Sequence, residues 1–105
     1  MFNTNLKIGN SNIIKSKLGL GCWGLGGGTE TYPSYGNISS ENVTKIIENA
    51  LTRNINFFDT SPAYGISEKI LGKILKRKKR EEIFLASKCG ISEFSEKKNF
   101  NADFL

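Results

Sequence analysis

Hydrophobic positions recur with a helical period in two stretches of the chain. In the first stretch they lie at i, i+3, i+4, i+7 and i+8, and these positions are Val43, Ile46, Ile47, Ala50 and Leu51. This spacing predicts one apolar face of an amphipathic helix, with Ser39 or Ser40 as its N-cap. In the second stretch, Ile70, Leu71, Ile74 and Leu75 predict a helix capped by Ser67. Gly72 lies within this helix, where glycine is less stable than alanine by about 1 kcal/mol. Its presence therefore predicts close packing that leaves no room for a side chain.

Short apolar segments between turn formers predict strands. Residues 6–15 predict a hairpin around a turn at 9–12, where glycine, asparagine and serine tolerate positive φ. Residues 17–22, 55–59 and 82–88 predict three short strands, the first leading into a glycine-rich loop that continues to about Asn37. Because these strands alternate with the two helices, we expect them to pair in parallel through right-handed crossovers.

The last residues have the character of a helix start. Asn101 is a plausible N-cap, and residues 102–105 predict a first helical turn. We therefore expect a third helix to begin at the point where the sequence stops. Three parallel strands and two helices would leave sheet edges open to association.

Composition narrows the functional classes. The chain has 105 residues with 38% hydrophobic and 24% charged side chains, which is typical of a soluble globular domain. No apolar run approaches the roughly 20 residues that span a bilayer. The first five residues lack a signal-peptide pattern, so a cytoplasmic location without membrane contact is expected.

The net charge of +5 arises largely from the basic run at 76–80. Such a run at a helix end is typical of a solvated face that the helix dipole favours, and no interleaved aromatic residues indicate nucleic-acid binding. The chain has no histidine, which excludes histidine-based zinc sites, and no metal is expected. Without a secretion signal, Cys22 and Cys89 are predicted to be reduced thiols.

Three polar residues follow neighbouring predicted strands. Asp59 ends the second strand of the predicted parallel sheet, Tyr64 lies in the loop after it, and Lys88 ends the third strand. Because the carboxyl ends of parallel strands converge on one rim, Asp59 and Lys88 are expected to pair. An ammonium group beside Tyr64 would favour the phenolate and make the phenol a better proton donor. This chemistry suits protonation of a carbonyl oxygen while a hydride reaches its carbon.

Each of these residues alone has a commoner structural explanation. An aspartate before Thr-Ser-Pro is often a turn acceptor, a loop tyrosine usually packs, and a strand-end lysine is usually solvated. The motifs around them decide the interpretation. Residues 57–65 followed by 67–72 (FFDTSPAYG and SEKILG) closely resemble the signature of the aldo-keto reductase family. Residues 86–90, residues 18–27 and the leading hairpin resemble further segments of the same family.

This resemblance implies a fold, a cofactor and a set of site residues. The fold would be the N-terminal part of a (β/α)8 TIM barrel with a leading β-hairpin, cut after the third barrel strand, so that residues 1–105 are a fragment of one barrel domain. Tyr64 would be the general acid/base, Lys88 would tune it, and Asp59 would hold Lys88. Cys22, Trp23 and Asp59 would help to bind the nicotinamide end of NADPH. The substrate would be a small-molecule carbonyl, and the family requires no metal.

A dinucleotide-binding Rossmann fold is an alternative to the barrel. Gly19-x-Gly21-x-x-Gly24 matches the fingerprint of that fold, which requires a helix that opens at its glycines. The predicted helix begins about 15 residues after them, so the sequence does not favour a Rossmann fold.

The family's fourth catalytic residue, a histidine after the fourth strand, has no counterpart here. The chain is therefore either part of a longer reductase, or a non-catalytic remnant or split-barrel subunit that associates with a partner. In both cases we expect the isolated 105 residues to fold poorly and to be inactive.

Overall fold

The computed structural model describes residues 5–12, 14–28, 34–92 and 97–105. Two strands form an antiparallel hairpin, β1 (Asn5–Lys7) and β2 (Ile14–Ser16). Three strands form a parallel sheet in the order β3 (Gly19–Gly21), β4 (Phe57–Asp59) and β5 (Phe84–Ala86). The helices are α1 (Ser40–Thr52) and α2 (Ser67–Leu75), with 3-10 turns at Trp23–Gly26 and Arg80–Glu82. Ile13, residues 1–4 and residues 29–33 of the predicted glycine-rich loop lie outside the described residues.

The predicted element order and the parallel pairing are confirmed. Gly19 pairs with Phe57, which pairs with Phe84, and two residues later Gly21, Asp59 and Ala86 are in register. The described residues form an open sheet of three parallel strands and not a closed barrel. The third strand is shorter than the predicted 82–88, because residues 80–82 form a 3-10 turn in which Arg80 Nη1 donates to the Ile83 carbonyl at 2.7 Å.

Helix α1 forms as its apolar period predicts. Ser39 is the N-cap, and its Oγ accepts a hydrogen bond from the Asn42 backbone N–H at 3.2 Å. Val43 and Ile47 are fully buried and Ala50 nearly so, whereas Ile46 at the edge of the stripe is partly exposed. The buried face of the helix thus belongs to the hydrophobic core, which also contains Phe58 of β4 and Leu71 of α2.

Two predictions about α2 are wrong. Ser67 is the first helical residue and not the N-cap, which is Ile66, without a side-chain cap. Ser67 is fully buried, and its hydroxyl bonds to other loops instead of to the helix backbone. Gly72 is exposed, and a Cβ placed on it would meet no atom of the described residues within 4 Å. Close packing therefore does not explain this glycine within the described part of the chain.

The basic run follows α2 and is solvated, as predicted. Lys78 pairs with Glu48 of α1 at 3.1 Å, and Lys79 pairs with Glu82 at 3.6 Å. All four side chains are at least one third exposed, so each pair contributes at most about 1 kcal/mol. Of the predicted third helix, the structure shows a single turn, in which the Leu105 N–H donates to the Asn101 carbonyl. Within the described residues, no helix has the length and apolar character of a membrane span.

Asn56 joins the hairpin to the amino-terminal end of the sheet. Its Oδ1 accepts from the Ser16 N–H at 2.7 Å, and its Nδ2 donates to the carbonyls of Ile14 and Glu82 at 3.1 and 3.0 Å. The Ser16 hydroxyl in turn accepts from the Asn56 N–H at 3.1 Å. These bonds fix the hairpin at the opposite end of the sheet from the proposed site.

We expect Gly19→Ala to destabilise the protein because a side chain at this position has no room. A Cβ on Gly19 would lie 2.6 Å from the ring of Phe57 on the paired strand, and this ring is also in edge contact with Phe84 at 5.0 Å. Overpacking of this kind costs about 1–3 kcal/mol. Urea denaturation of the protein expressed from its complete coding sequence measures the free energy of unfolding. Gly21→Ala is the control, since its Cβ meets no described atom within 4 Å. Equal effects of the two substitutions would contradict the steric explanation.

Candidate active site

The carboxyl ends of the three parallel strands bring the predicted site residues to one rim. Asp59 is the last residue of β4, Lys88 lies two residues beyond β5, and Trp23 lies two residues beyond β3. The ladder extends to this edge, since the Cys22 N–H donates to the Asp59 carbonyl at 2.9 Å. Backbone pairing therefore sets the separation of the three segments.

Lys88 contacts both other members of the predicted trio. Its Nζ donates to Asp59 Oδ1 at 2.8 Å and to the Thr60 carbonyl oxygen at 2.7 Å. It also lies 4.7 Å from the centroid of the Tyr64 ring, within the range of a cation–π contact. The structure thus brings Asp59, Tyr64 and Lys88 together, as their positions after neighbouring strands predict.

The environment keeps Lys88 charged. Desolvation lowers its pKa, but the side-chain interactions with Asp59 and Tyr64 outweigh this effect and raise the pKa above its ordinary value. The Lys88 and Asp59 side chains are 42% and 48% exposed, so water screens their ion pair and its contribution to stability is small. The pair is better suited to fixing the place of a positive charge than to stabilising the fold.

A compact loop holds Tyr64 above the end of β4. The Tyr64 N–H donates to the Ser61 carbonyl at 3.0 Å, and the Ser67 N–H donates to the Tyr64 carbonyl at 2.9 Å. Gly65 between them has a φ of 53°, in the left-handed region that glycine occupies without strain. Ser61 is almost fully buried, which anchors the base of the loop.

Buried hydroxyl groups beneath the rim connect two of the loops. Thr60 Oγ1 and Ser67 Oγ lie 2.8 Å apart, and the Ser67 hydroxyl donates to the Cys22 carbonyl at 3.0 Å. The first residue of α2 thus fastens the segments after β3 and β4 to each other. Sequence reasoning missed this role, because a serine before an apolar helical stripe has the pattern of an N-cap.

Cys22 lies inside the protein and not on the rim surface. Its side chain is fully buried, and Sγ contacts the Leu20 carbonyl at 3.3 Å. Burial, followed by the negative charge of Asp59, raises the pKa of the thiol to about 11, so the group is neutral near pH 7. The position of Cys22 beside a cofactor stays a prediction. The other cysteine, Cys89, is exposed, and both are free thiols as predicted.

Trp23 is partly exposed beside the rim and forms an aromatic pair. Its ring meets that of Tyr35 edge to face, with centroids 4.7 Å apart and an interplanar angle of 85°. Tyr35 is 87% exposed and was not among the predicted site residues, because nothing in its local pattern indicates a partner 12 residues away. Among the described residues, no group of three acidic, cysteine or histidine side chains is placed to hold a metal.

Comparison with known proteins identifies the family. The model of the Aldo/keto reductase family matches residues 17–103. The chain belongs to the aldo-keto reductase family. Over 89 residues it is 37% identical to the NADH-specific methylglyoxal reductase of Escherichia coli, covering 82% of the chain and 26% of that protein. Over 100 residues it is 35% identical to the L-galactose dehydrogenase of Arabidopsis thaliana, covering 91% of the chain and 29% of that protein.

A solved structure is also similar to this chain. A protein from Pseudomonas aeruginosa named as an aldo-keto reductase superposes with a TM-score of 0.77 at 33% identity, covering 95% of this chain and 38% of that one. The mixed α/β fold with its parallel sheet therefore resembles the start of an aldo-keto reductase. The chain spans just over a quarter of the length of the two curated relatives named above.

Proposed function

We propose that the protein is a nicotinamide-dependent oxidoreductase that reduces aldehyde or ketone carbonyls of small molecules to alcohols. One observation carries this proposal above all: Lys88 is held by Asp59 at 2.8 Å while its ammonium group lies 4.7 Å from the ring of Tyr64. Such an arrangement suits a phenol that must release and regain a proton. Membership of the aldo-keto reductase family supports the same chemistry.

In the proposed reaction, Tyr64 is the general acid. Its phenol donates a proton to the carbonyl oxygen while a hydride adds to the carbonyl carbon, so the product is an alcohol and the residue is left as a phenolate. The Lys88 ammonium stabilises this phenolate, and Asp59 together with the Thr60 carbonyl keeps the ammonium in place. A proton from solvent then restores the phenol.

The residues at the rim suit the reacting end of a nicotinamide dinucleotide. Asp59 is a half-exposed carboxylate at the rim, and the partly exposed ring of Trp23 lies beyond the neighbouring strand at the same rim. Asp59 offers a hydrogen-bond acceptor for the carboxamide of a nicotinamide, and Trp23 offers an aromatic surface for the nicotinamide ring. The bound cofactor would supply the hydride. We propose NADPH on the basis of the family resemblance, and NADH is the alternative that the Escherichia coli relative suggests.

We further propose that residues 1–105 form the N-terminal part of a single (β/α)8 barrel domain, ending after its third strand. Strands β3 and β5 are the outer strands of the described sheet, and their outer edges are the places where further barrel strands would pair. The second candidate is a split barrel or a non-catalytic remnant, in which a partner covers these edges. Sequencing the coding region downstream of Leu105 distinguishes the two.

An activity assay on two forms of the protein tests the function. We expect the protein from the complete coding sequence to oxidise NADPH or NADH in the presence of a panel of small aldehydes and ketones. The isolated 105-residue chain should fold poorly and show no turnover, because its sheet edges are open. Absence of turnover in the complete protein with both cofactors would contradict the proposed function. Turnover by the isolated chain that disappears in Tyr64→Phe would contradict the expected inactivity of the fragment.

A further inference from the structure

The first two residues of α2 contact the segments that carry the proposed catalytic residues. Ser67 is fully buried, and its hydroxyl fixes the loops after β3 and β4. Glu68, the next residue, reaches the segment after β5, where its Oε1 accepts a hydrogen bond from Ser87 Oγ at 2.5 Å. Ser87 directly precedes Lys88. The start of one helix is therefore bonded to all three segments of the rim.

The Ser87 contact lies where backbone pairing has ended. Strand β5 stops at Ala86, whose carbonyl accepts the last hydrogen bond of the ladder from the Thr60 N–H at 2.8 Å. Among the described residues, Ser87 is held beyond this point through its side chain by Glu68, and Lys88 is held through its ammonium group. The hydrogen bond between the exposed side chains of Glu68 and Ser87 is thus a direct link from α2 to the residue before Lys88.

The side chain of Glu68 is exposed, but its backbone belongs to α2. It lies in the first turn of α2, where the helix dipole favours a carboxylate. A hydroxyl that donates to an ionised carboxylate forms a short, strong hydrogen bond. The preceding residue, Ser67, has no exposed surface, so the backbone at this point has little freedom.

We infer that Glu68 is a positioning residue, which through Ser87 sets the place of the Lys88 ammonium group relative to Tyr64. The inference rests on the proposed carbonyl-reductase function and adds a residue that touches neither substrate nor cofactor. Without this bond, the backbone at residues 87 and 88 has more freedom, and the average distance from the ammonium to the phenol increases. A displacement of about 1 Å at a reacting group can cost as much as 100-fold in rate.

Removal of either partner tests the inference in the protein expressed from its complete coding sequence. We expect Glu68→Ala and Ser87→Ala each to lower kcat about tenfold, with the KM for the nicotinamide cofactor changed less than about twofold. The double variant should be no slower than the slower single variant, because both substitutions remove the same bond. Losses that multiply in the double variant would overturn the inference.

Conservative variants and a matched control separate positioning from a general loss of stability. Glu68→Gln keeps an acceptor and Ser87→Thr keeps a hydroxyl, so both should retain most of the wild-type kcat. Glu41→Ala removes the corresponding first-turn glutamate of α1, together with its ion pair to Lys45. It should leave kcat unchanged. An equal loss in Glu41→Ala would show that the effect is only structural.

A second measurement does not require turnover. Backbone 15N relaxation of the wild-type protein and of each variant reports how freely residues 87 and 88 move. We expect lower order parameters at these two residues in Glu68→Ala and Ser87→Ala, and no change there in Glu41→Ala, because only the first two variants lose the bond that holds this backbone. Lower order parameters without turnover in the wild-type protein would support the positioning role and refute the proposed function. Unchanged order parameters in both variants would overturn the inference.

Discussion

Tyr64→Phe is expected to lower kcat for carbonyl reduction by about 10²–10⁴-fold, the usual contribution of a positioned general acid. The substitution removes the proton donor and keeps the ring that packs near the Lys88 ammonium. The backbone bonds that hold residue 64 to Ser61 and Ser67 do not involve the hydroxyl, so the loop should keep its shape. Steady-state rates with the complete protein measure the loss of turnover, and its circular dichroism spectrum shows whether the fold is retained.

Tyr35→Phe is the matched control for this experiment. Tyr35 is a highly exposed tyrosine that packs against Trp23 beside the same rim, and the substitution keeps its ring. We expect a change in kcat of less than about threefold, because surface substitutions that keep packing have small effects. Retention of more than half the wild-type rate by Tyr64→Phe would remove the phenol from the proposed mechanism.

The sequence predicts the parts of the fold that depend on local periodicity. Val43, Ile47 and Ala50 share one helical face, and this period is visible without any tertiary information. The convergence of Asp59 and Lys88 follows from one further step, since the carboxyl ends of parallel strands meet at one edge of a sheet. The extension from three strands to a whole barrel depends on the family resemblance and not on any pattern within these residues.

The contacts beneath the rim were not predictable, because they join segments that are distant in sequence. The Ser67 hydroxyl bonds to a carbonyl 45 residues earlier, and no local pattern distinguishes this serine from a helix cap. The burial of the Cys22 side chain was likewise not visible in the sequence, and the place beside a cofactor that the family resemblance implies for this residue stays a prediction. Burial depends on tertiary packing. A family resemblance can therefore predict that a position is functionally important without showing whether its side chain is buried or exposed.

Lys88→Met should lower kcat by about 10²–10³-fold, comparable to the loss of a donor that stabilises a developing oxyanion. Methionine fills a similar volume but has no charge, so the phenolate left by Tyr64 loses its stabilising partner. It also leaves Asp59 without the ammonium that lies 2.8 Å away, and because that carboxylate is 48% exposed, water can solvate it and the fold should survive.

The comparison of kcat with cofactor affinity decides whether Lys88 acts in this way. Fluorescence titration should give a Kd for the nicotinamide cofactor close to the wild-type value, because the substitution removes a charge that acts on Tyr64 and not a proposed cofactor contact. Lys73→Met, at an exposed position of α2, controls for the loss of one positive charge and should leave both values unchanged. Unchanged turnover in Lys88→Met would refute the assigned role. A fall in cofactor affinity as large as the fall in kcat would instead assign Lys88 to cofactor binding, since an interaction that serves the chemical step alone lowers kcat and leaves binding intact.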